Sequence, residues 1–325
     1  MNSSLSTPNM SKDDQGGCLA LTDWGLIRAS GEDAAKFLHS QLTQDFALLD
    51  LAHARLAGYC SAKGRLLATL VGWKLSDEEL LLALPVERVA PTLKRLSMFV
   101  LRSKCKLSEA SDAWRLYGLA GTVAHSWLKA QGYEMPAAPW DLLRLGGDGG
   151  ATLVRLPDGA GVPRFLLTQS AQAAAPDLPA LDARQWQTWD VQSGLAWVQG
   201  ATVEQFVPQM LNLELLGGVS FQKGCYPGQE VVARSQYRGT VKRRTFLFET
   251  DGAAQIGQEL FHSADPEQPA GMVAAAAASP VGEAGSVVLA EVKLAALEAG
   301  SLHLGSPQGP QLRPQPMPYA VGEPQ

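Results

Sequence analysis

Apolar positions along the chain fall mostly into short runs separated by turns, and only a few stretches repeat every three or four residues. CLALTD and WGLIRAS, over 18–30, read as two strands expected to pair with each other. Ser30 stands where a helix cap would. Glu32 and Asp33 follow in a first turn, where the helix dipole favours negative charge, and Lys36 is spaced to pair with Glu32. That helix is expected to reach about Asp45 with Phe37, Leu38, Gln41 and Leu42 on one face. ARLAGYCSA, RLLATLVGWKLS and ELLLALP then read as strands divided by the turns SAKG and SDEE. Val86, Val89, Leu93, Leu96 and Val100 step by three or four residues, which predicts an amphipathic helix starting near Pro85. KCKLSEA follows as a strand.

The same mixture continues from 112. WRLYGLAG reads as a strand, VAHSWLKAQG as a helix, and DLLRLG, ATLVRLP and RFLLTQ as strands. AQAAAPDLPALDA is broken by prolines, and a helix is expected over about 182–193 with Trp186 and Trp189 three apart. Further on, VVARSQYR, RTFLFET, GMVAAAAAS and SVVLAEVKL read as short strands between Gly and Pro turns, and the Pro-rich end GPQLRPQPMPYAVGEPQ as extended. Strands joined by short turns and mixed with helices point to an α+β fold with antiparallel neighbours rather than regular βαβ units. The expected division is a disordered tail (1–17), a first α+β part (18–111), a second (112–239) free to interleave with the first, and a C-terminal β-barrel (240–325). No internal repeat is visible.

A length of 325 residues exceeds one ordinary core, in keeping with that division. Hydrophobic residues make up 46% and charged residues 18%, the balance of a soluble globular protein. The net charge of −5 and pI near 5.6 argue against a protein that lives on nucleic-acid phosphates. The basic run Lys242-Arg243-Arg244 reads as a solvated face. The polar start lacks the apolar region of a signal peptide, and no stretch approaches the roughly 18 apolar residues of a membrane span. Cys18, Cys60, Cys105 and Cys225 are far apart and form no CxxC pair, so a reducing cytoplasm is expected, with neither a disulfide framework nor structural zinc. The scattered histidines show no metal-ligand spacing.

Residues 222–230, QKGCYPGQE, carry the densest local specification. Gly224 and Gly228 permit angles or approaches that a side chain blocks, and Pro227 stiffens the backbone around Tyr226. GGVSF before the loop and VVAR after it read as strand material, which sets Cys225 at a strand end. Lys223 is a cation able to raise the thiolate fraction of Cys225. Glu230 is either an acceptor for a ligand or a partner for Arg234. On the residues alone, Cys225 is open between a small buried hydrophobe and a reactive thiol.

Lys223, Gly224, Cys225, Tyr226, Gly228, Gln229 and Glu230 all match the K-G-C-[FY]-x-G-Q-E signature, and the loop resembles that of the YgfZ family of folate-binding proteins, a branch of the glycine-cleavage T-protein (aminomethyltransferase) superfamily. FVPQMLNLELLGGVSF before it, VVARSQYRGTVKRR after it, LTDWGLIRASGEDAAKFLHSQLTQD and AGYCSAKGRLLATL resemble the same family, over roughly 18–320. The resemblance implies a three-domain aminomethyltransferase-like ring with antiparallel sheets and a C-terminal β-barrel. It implies binding of tetrahydrofolate or a derivative, and a role in iron–sulfur cluster assembly or repair that supports tRNA modification. It also implies that Cys225 is the required functional residue and that Trp24 and Trp186 meet the folate. Both indoles suit a flat pterin, although tryptophan is as often simply core, and Trp189 is the alternative to Trp186. Arg28, Arg65 and Arg234 are candidates for the folate's glutamate tail.

Two departures qualify the resemblance. Aminomethyltransferases carry an Asp pair after the Lys-Gly turn, whereas Lys63-Gly64 is followed here by RLLAT, and Ser61 stands where some YgfZ-type proteins have Asp. A general base needs a group within reach of its proton, so glycine cleavage is disfavoured and an accessory factor preferred to a one-carbon transferase. One cysteine does not hold a four-iron cluster, so no stably bound cluster is expected. The expected partners are folate and iron–sulfur enzymes or assembly proteins, with an indirect link to tRNA and none to a membrane.

Overall fold

The computed structural model describes residues 16–146, 150–237, 241–279 and 285–322, so the expected tail lies almost wholly outside the described residues. In chain order come β1 (Gly17–Ala20), β2 (Trp24–Ser30), α1 (Ala34–Gln41), β3 (Ala54–Cys60), β4 (Leu66–Ser76), β5 (Glu79–Pro85), α2 (Val86–Ser97) and β6 (Lys106–Glu109). They are followed by β7 (Trp114–Ala120), α3 (Gly121–Ala130), β8 (Leu142–Leu145), β9 (Ala151–Gly159), β10 (Val162–Ser170), α4 (Ala183–Gln192) and α5 (Gln229–Tyr237). The last part is all strand and short turn: β11 (Arg243–Thr250), β12 (Glu259–His262), β13 (Asp265–Ala278), β14 (Ser286–Lys293), β15 (Leu302–Leu304) and β16 (Gln311–Gln315).

These strands build two five-stranded antiparallel sheets and a closed barrel. One sheet has the order β3-β4-β5-β2-β6, the other β1-β7-β10-β9-β8, and the barrel β11-β14-β13-β12-β15-β16. β1 and β2 were expected to pair with each other, but they do not. β1 pairs with β7, and β2 lies between β5 and β6 in the other sheet. The intervening turn lets the chain pass from one sheet to the next, and both strands find partners far away in sequence.

Why the apolar runs are continuous becomes clear from burial. In β5, Leu80, Leu82 and Leu84 face α1 and α2, while Leu81 and Ala83 face a central core, so the run is buried on both sides. That central core joins both sheets, α4 and the barrel through residues such as Leu26, Trp73, Val154, Trp186, Leu213 and Leu289. Phe248, Leu260, Val273 and Val288 fill a separate core in the barrel. The barrel strand β13 carries the alanine run 274–278, and its register with β14 shifts between Val273 and Ala275.

Helix ends correct several expectations. α1 begins four residues after Ser30, which closes β2 instead of capping the helix, and it stops at Gln41. Glu32 pairs with Lys104 at 2.5 Å rather than with Lys36. α4 is capped by Asp182, whose carboxylate accepts from the amides of Arg184 (2.7 Å) and Gln185 (3.2 Å). The Lys242-Arg243-Arg244 run is not a solvated face. Arg243 holds Glu291, and the buried Arg244 bonds Glu214 (2.7 Å) and Asn212 (3.1 Å). Among the described residues no helix is long and apolar enough to cross a membrane.

Candidate functional site

The loop that carries Cys225 is irregular backbone leading into a helix. GGVSF forms no strand, and VVARSQY lies in α5. The β-branched pair Val231-Val232 reads as strand, but only Val232 is buried in this helix, and its carbonyl accepts from Gln209 at 2.8 Å. Gly228 has φ +81°, and a Cβ there would stand 2.7 Å from Gly64 Cα and N. Gly64 has φ +70° and meets Val231 in the same way, its added Cβ falling 2.8 Å from Val231 Cβ. The SAKG turn between β3 and β4 and the cysteine loop therefore interlock at two positions where only glycine fits.

Lys223 anchors the loop from the other side. Its buried ammonium donates to the carbonyl oxygens of His39 and Leu42 (2.6 Å for Leu42), and it lies 4.8 Å from the centre of the Tyr226 ring. A cation at the carbonyl end of α1 satisfies acceptors the helix cannot and complements its dipole. Burial pulls this ammonium down to about 8, opposed by the charges of Asp45 and Cys225. Tyr226 is buried, and burial raises its hydroxyl. Cys225 itself is exposed and unpaired. Gln229 opens α5, and Glu230 pairs with Arg234 one turn on at 2.7 Å, with both side chains exposed. Next to Gly224 stands His39, whose Nε2 is 3.4 Å from where a Gly224 Cβ would be. The opposite nitrogen, Nδ1, is 3.0 Å from Asp45 Oδ1, which also accepts from the Leu48 amide at 2.9 Å.

A second feature lies at the same end of the first sheet. Trp24 faces Pro85 across the β2–β5 ladder, and Cys60 faces Leu66 across β3–β4. β2 and β3 are three strand spacings apart, about 14 Å. Around Trp24 opens a cavity of about 390 Å³ bounded by Trp186, Trp197, Asp23, Glu87 and Asp190, with Ala275 and Ala276 of β13 as its barrel wall. Trp24 packs edge-on against Trp197, with centroids 4.7 Å apart and planes at 79°. Trp197 Nε1 donates to Asp190 Oδ2 at 2.9 Å, and Arg164 donates to Asp190 Oδ1 at 2.9 Å. The fully buried Arg164 guanidinium also sits 5.0 Å from the Trp186 ring centre. One carboxylate thus ties together the groups that hold three indoles. Burial pushes the Asp190 carboxyl up, and Arg164 and Trp197 pull it back.

Trp24 and Trp186 come together on this cavity, whereas Trp189 turns toward Gly159 and does not line it. None of the three arginines lines it. Arg28 pairs with Glu79 at 2.6 Å, Arg234 pairs with Glu230, and Arg65 donates to the Gln205 carbonyl beside a separate cavity of about 280 Å³. The Lys-Gly turn does lack a carboxylate, but Asp23, Glu87 and Asp190 reach the cavity from other elements. Asp190 follows Trp186 by one helical turn, a spacing that places both on one face and was readable in the sequence. Trp197 and Glu87 carried no such signal. Among the described residues no group of His, Cys, Asp and Glu is arranged to hold a metal ion.

No protein-family model matches the chain. The tRNA-modifying protein YgfZ of Sodalis glossinidius (strain morsitans) is 32% identical over 316 residues, covering 94% of this chain and 93% of that protein. The tRNA-modifying protein YgfZ of Serratia proteamaculans (strain 568) is 33% identical, covering 71% and 70%. Among solved structures, the glycine cleavage system aminomethyltransferase T from Bartonella henselae superposes with a TM-score of 0.72 over 95% of this chain and 88% of that one, at 16% identity. That likeness is one of fold, and with the antiparallel sheets and closed barrel it bears out the aminomethyltransferase-like architecture. Identity of about one third, sustained over nearly the full length of both chains, shows that the chain belongs to the YgfZ family.

Proposed function

We propose that the chain binds a reduced folate in the tryptophan-lined cavity and supports tRNA modification by assisting iron–sulfur cluster assembly or repair, with the Cys225 thiol as its chemically active group. The observation that carries the reading is the joining of Trp24, Trp186 and Trp197 around one cavity by the Asp190 carboxylate. Indole faces and edges suit a flat pterin, and about 390 Å³ lies within the usual range for a small ligand. A carboxylate held by two donors keeps its remaining lone pairs for the N–H groups of a pterin edge. Arg115, in an adjoining cavity of about 250 Å³ that shares Trp24, is the nearby cation for an anionic tail. The curated relatives are named for tRNA modification, which supports the same direction.

The test pairs two measurements. Titration of the protein with 5-formyltetrahydrofolate should change tryptophan fluorescence saturably, and Trp24→Ala should weaken the binding by about tenfold or more. Cys225→Ala should abolish rescue of tRNA thiomethylation in a strain lacking the protein while folate binding stays intact. No folate binding, or full rescue by Cys225→Ala, would sink the proposal. One-carbon transfer is the second reading, favoured by the carboxylates on the cavity. Asp190 is committed to the cationic Arg164 and to Trp197, and Glu87 to the Gly200 amide at 2.6 Å, so each is fixed in place as a hydrogen-bond acceptor rather than positioned to carry a proton to and fro. Incubation with tetrahydrofolate and aminomethyl donors is therefore expected to give no one-carbon product, and sustained turnover would reverse the ranking.

A further inference from the structure

The cysteine loop touches one titratable side chain that neither the signature motif nor the cavity includes. His39 lies on α1, half-buried, with Nδ1 against Asp45 and Nε2 toward Gly224. Asp45 is a fixed acceptor. Burial raises its carboxyl, but the Leu48 and Ala47 amides and the His39 ring together hold it below the usual carboxylate range. An ionised carboxylate accepts only, so Nδ1 carries the proton and Nε2 offers a lone pair. No hydrogen bond occupies Nε2 among the described residues. Gly224 leaves that edge of the ring open: apart from the adjoining Lys223 and Cys225, Nε2 is the one atom among the described residues within 4 Å of an added Cβ. Lys223 fastens the segment next to Cys225 onto the backbone of His39 itself, so ring and thiol loop are held as one unit.

We infer that His39 is the proton acceptor for the Cys225 thiol and that Asp45 is its positioning residue. The inference rests on the reading of Cys225 as the working thiol. The S–H bond of Cys225 breaks, the electron pair stays on sulfur, and the proton passes to His39 Nε2. The imidazolium so formed keeps its Nδ1–H on Asp45. The ammonium of Lys223 adds a second positive charge beside the thiolate. At rest the thiol makes no hydrogen bond among the described residues. Such contacts are commonly loose before a substrate is bound.

The test is alkylation of the full chain by iodoacetamide, in which sulfur displaces iodide, followed at residue 225 by mass spectrometry from pH 5.5 to 10. Burial pushes the Cys18 and Cys105 thiols up to about 11 and Cys60 to about 12, so at neutral pH these leave the signal at 225 uncluttered. His39→Gln should slow alkylation at pH 7 by about tenfold and regain the wild-type rate in alkali. Asp45→Asn should slow alkylation at pH 7 in the same sense, because its amide oxygen still accepts from Leu48 and from Nδ1–H but the negative charge that stabilises the imidazolium is gone, while the ring stays in place. Thermal unfolding of each variant separates a lost fold from a lost acceptor. If His39→Gln loses its fold, the folded Asp45→Asn protein decides the matter. A wild-type profile in the folded variants, or slowing by the same factor at every pH, overturns the inference. Alkylation needs no client protein, so it can fail while loss of rescue by Cys225→Ala still upholds the role of the thiol, and the reverse holds too.

Discussion

Replacing Lys223 by methionine isolates the cost and benefit of burying one ammonium beside a thiol. The methionine stem fills much of the same channel, but the carbonyls of His39 and Leu42 lose their donor. Charge-assisted hydrogen bonds contribute about 1.5–3 kcal/mol each, and the variant escapes the desolvation of the charge, so a net loss of about 2 kcal/mol is expected at pH 7. The pH dependence is more telling. Burial lowers the ammonium from 10.5 to about 8 in the folded chain. Between those two values the unfolded chain binds a proton that the folded one has released, so wild-type stability rises with pH there. Below about 8 both states are protonated and this contribution is flat; above 10.5 both are neutral and it is flat again. Two and a half pH units correspond to at most about 3 kcal/mol.

Urea denaturation of both proteins at pH 7, 8, 9 and 10 measures this difference directly. The raised thiols of Cys18, Cys60 and Cys105 pull stability down in alkali, but both proteins carry them and their effect largely cancels. The gap between wild type and Lys223→Met is expected to widen steadily above pH 8. A gap that is constant or narrows over that range would refute the buried-ammonium argument.

Two further perturbations test the frame around the site. Gly228→Ala should cost more than about 2 kcal/mol in urea melts, since it combines a left-handed backbone with a clash against Gly64 backbone atoms; an unchanged midpoint would mean the loop re-forms freely. Arg164→Met strands the Asp190 carboxylate and should cost about 3–5 kcal/mol, with stability recovering as pH falls because the folded state then takes up a proton more readily than the unfolded one; recovery toward alkali would contradict this.

Local pattern was a good guide where structure is local. The SAKG and SDEE turns, the meander they join and the three-to-four periodicity of α2 were all readable because neighbours in sequence are also neighbours in space. Only Val89, Thr92 and Leu96 of α2 are buried, so even there the stripe is narrower than the apolar pattern. Partners that depend on distant chain were not readable: β1 reaches β7 across nearly a hundred residues. Val231-Val232 misled because β-branching is a weak preference that Gly228 and the Glu230–Arg234 pair override. The signature loop and Trp24 and Trp186 came from resemblance, while Trp197, Glu87 and His39 emerged only once folding brought separate elements together.

The alanine run of β13 reads from the sequence simply as a strand, and two of its residues, Ala275 and Ala276, line the cavity that holds Trp24 and Trp186. Where the cavity wall is alanine it carries no atoms beyond Cβ, so a larger side chain at Ala275 or Ala276 takes space from the cavity while the indoles and Asp190 keep their own residues. Size selection and chemical selection are thereby assigned to different parts of the chain. The barrel decides how large an occupant fits, and α4, the segment after it and the start of β2 decide what kind. A lineage could change one while keeping the other.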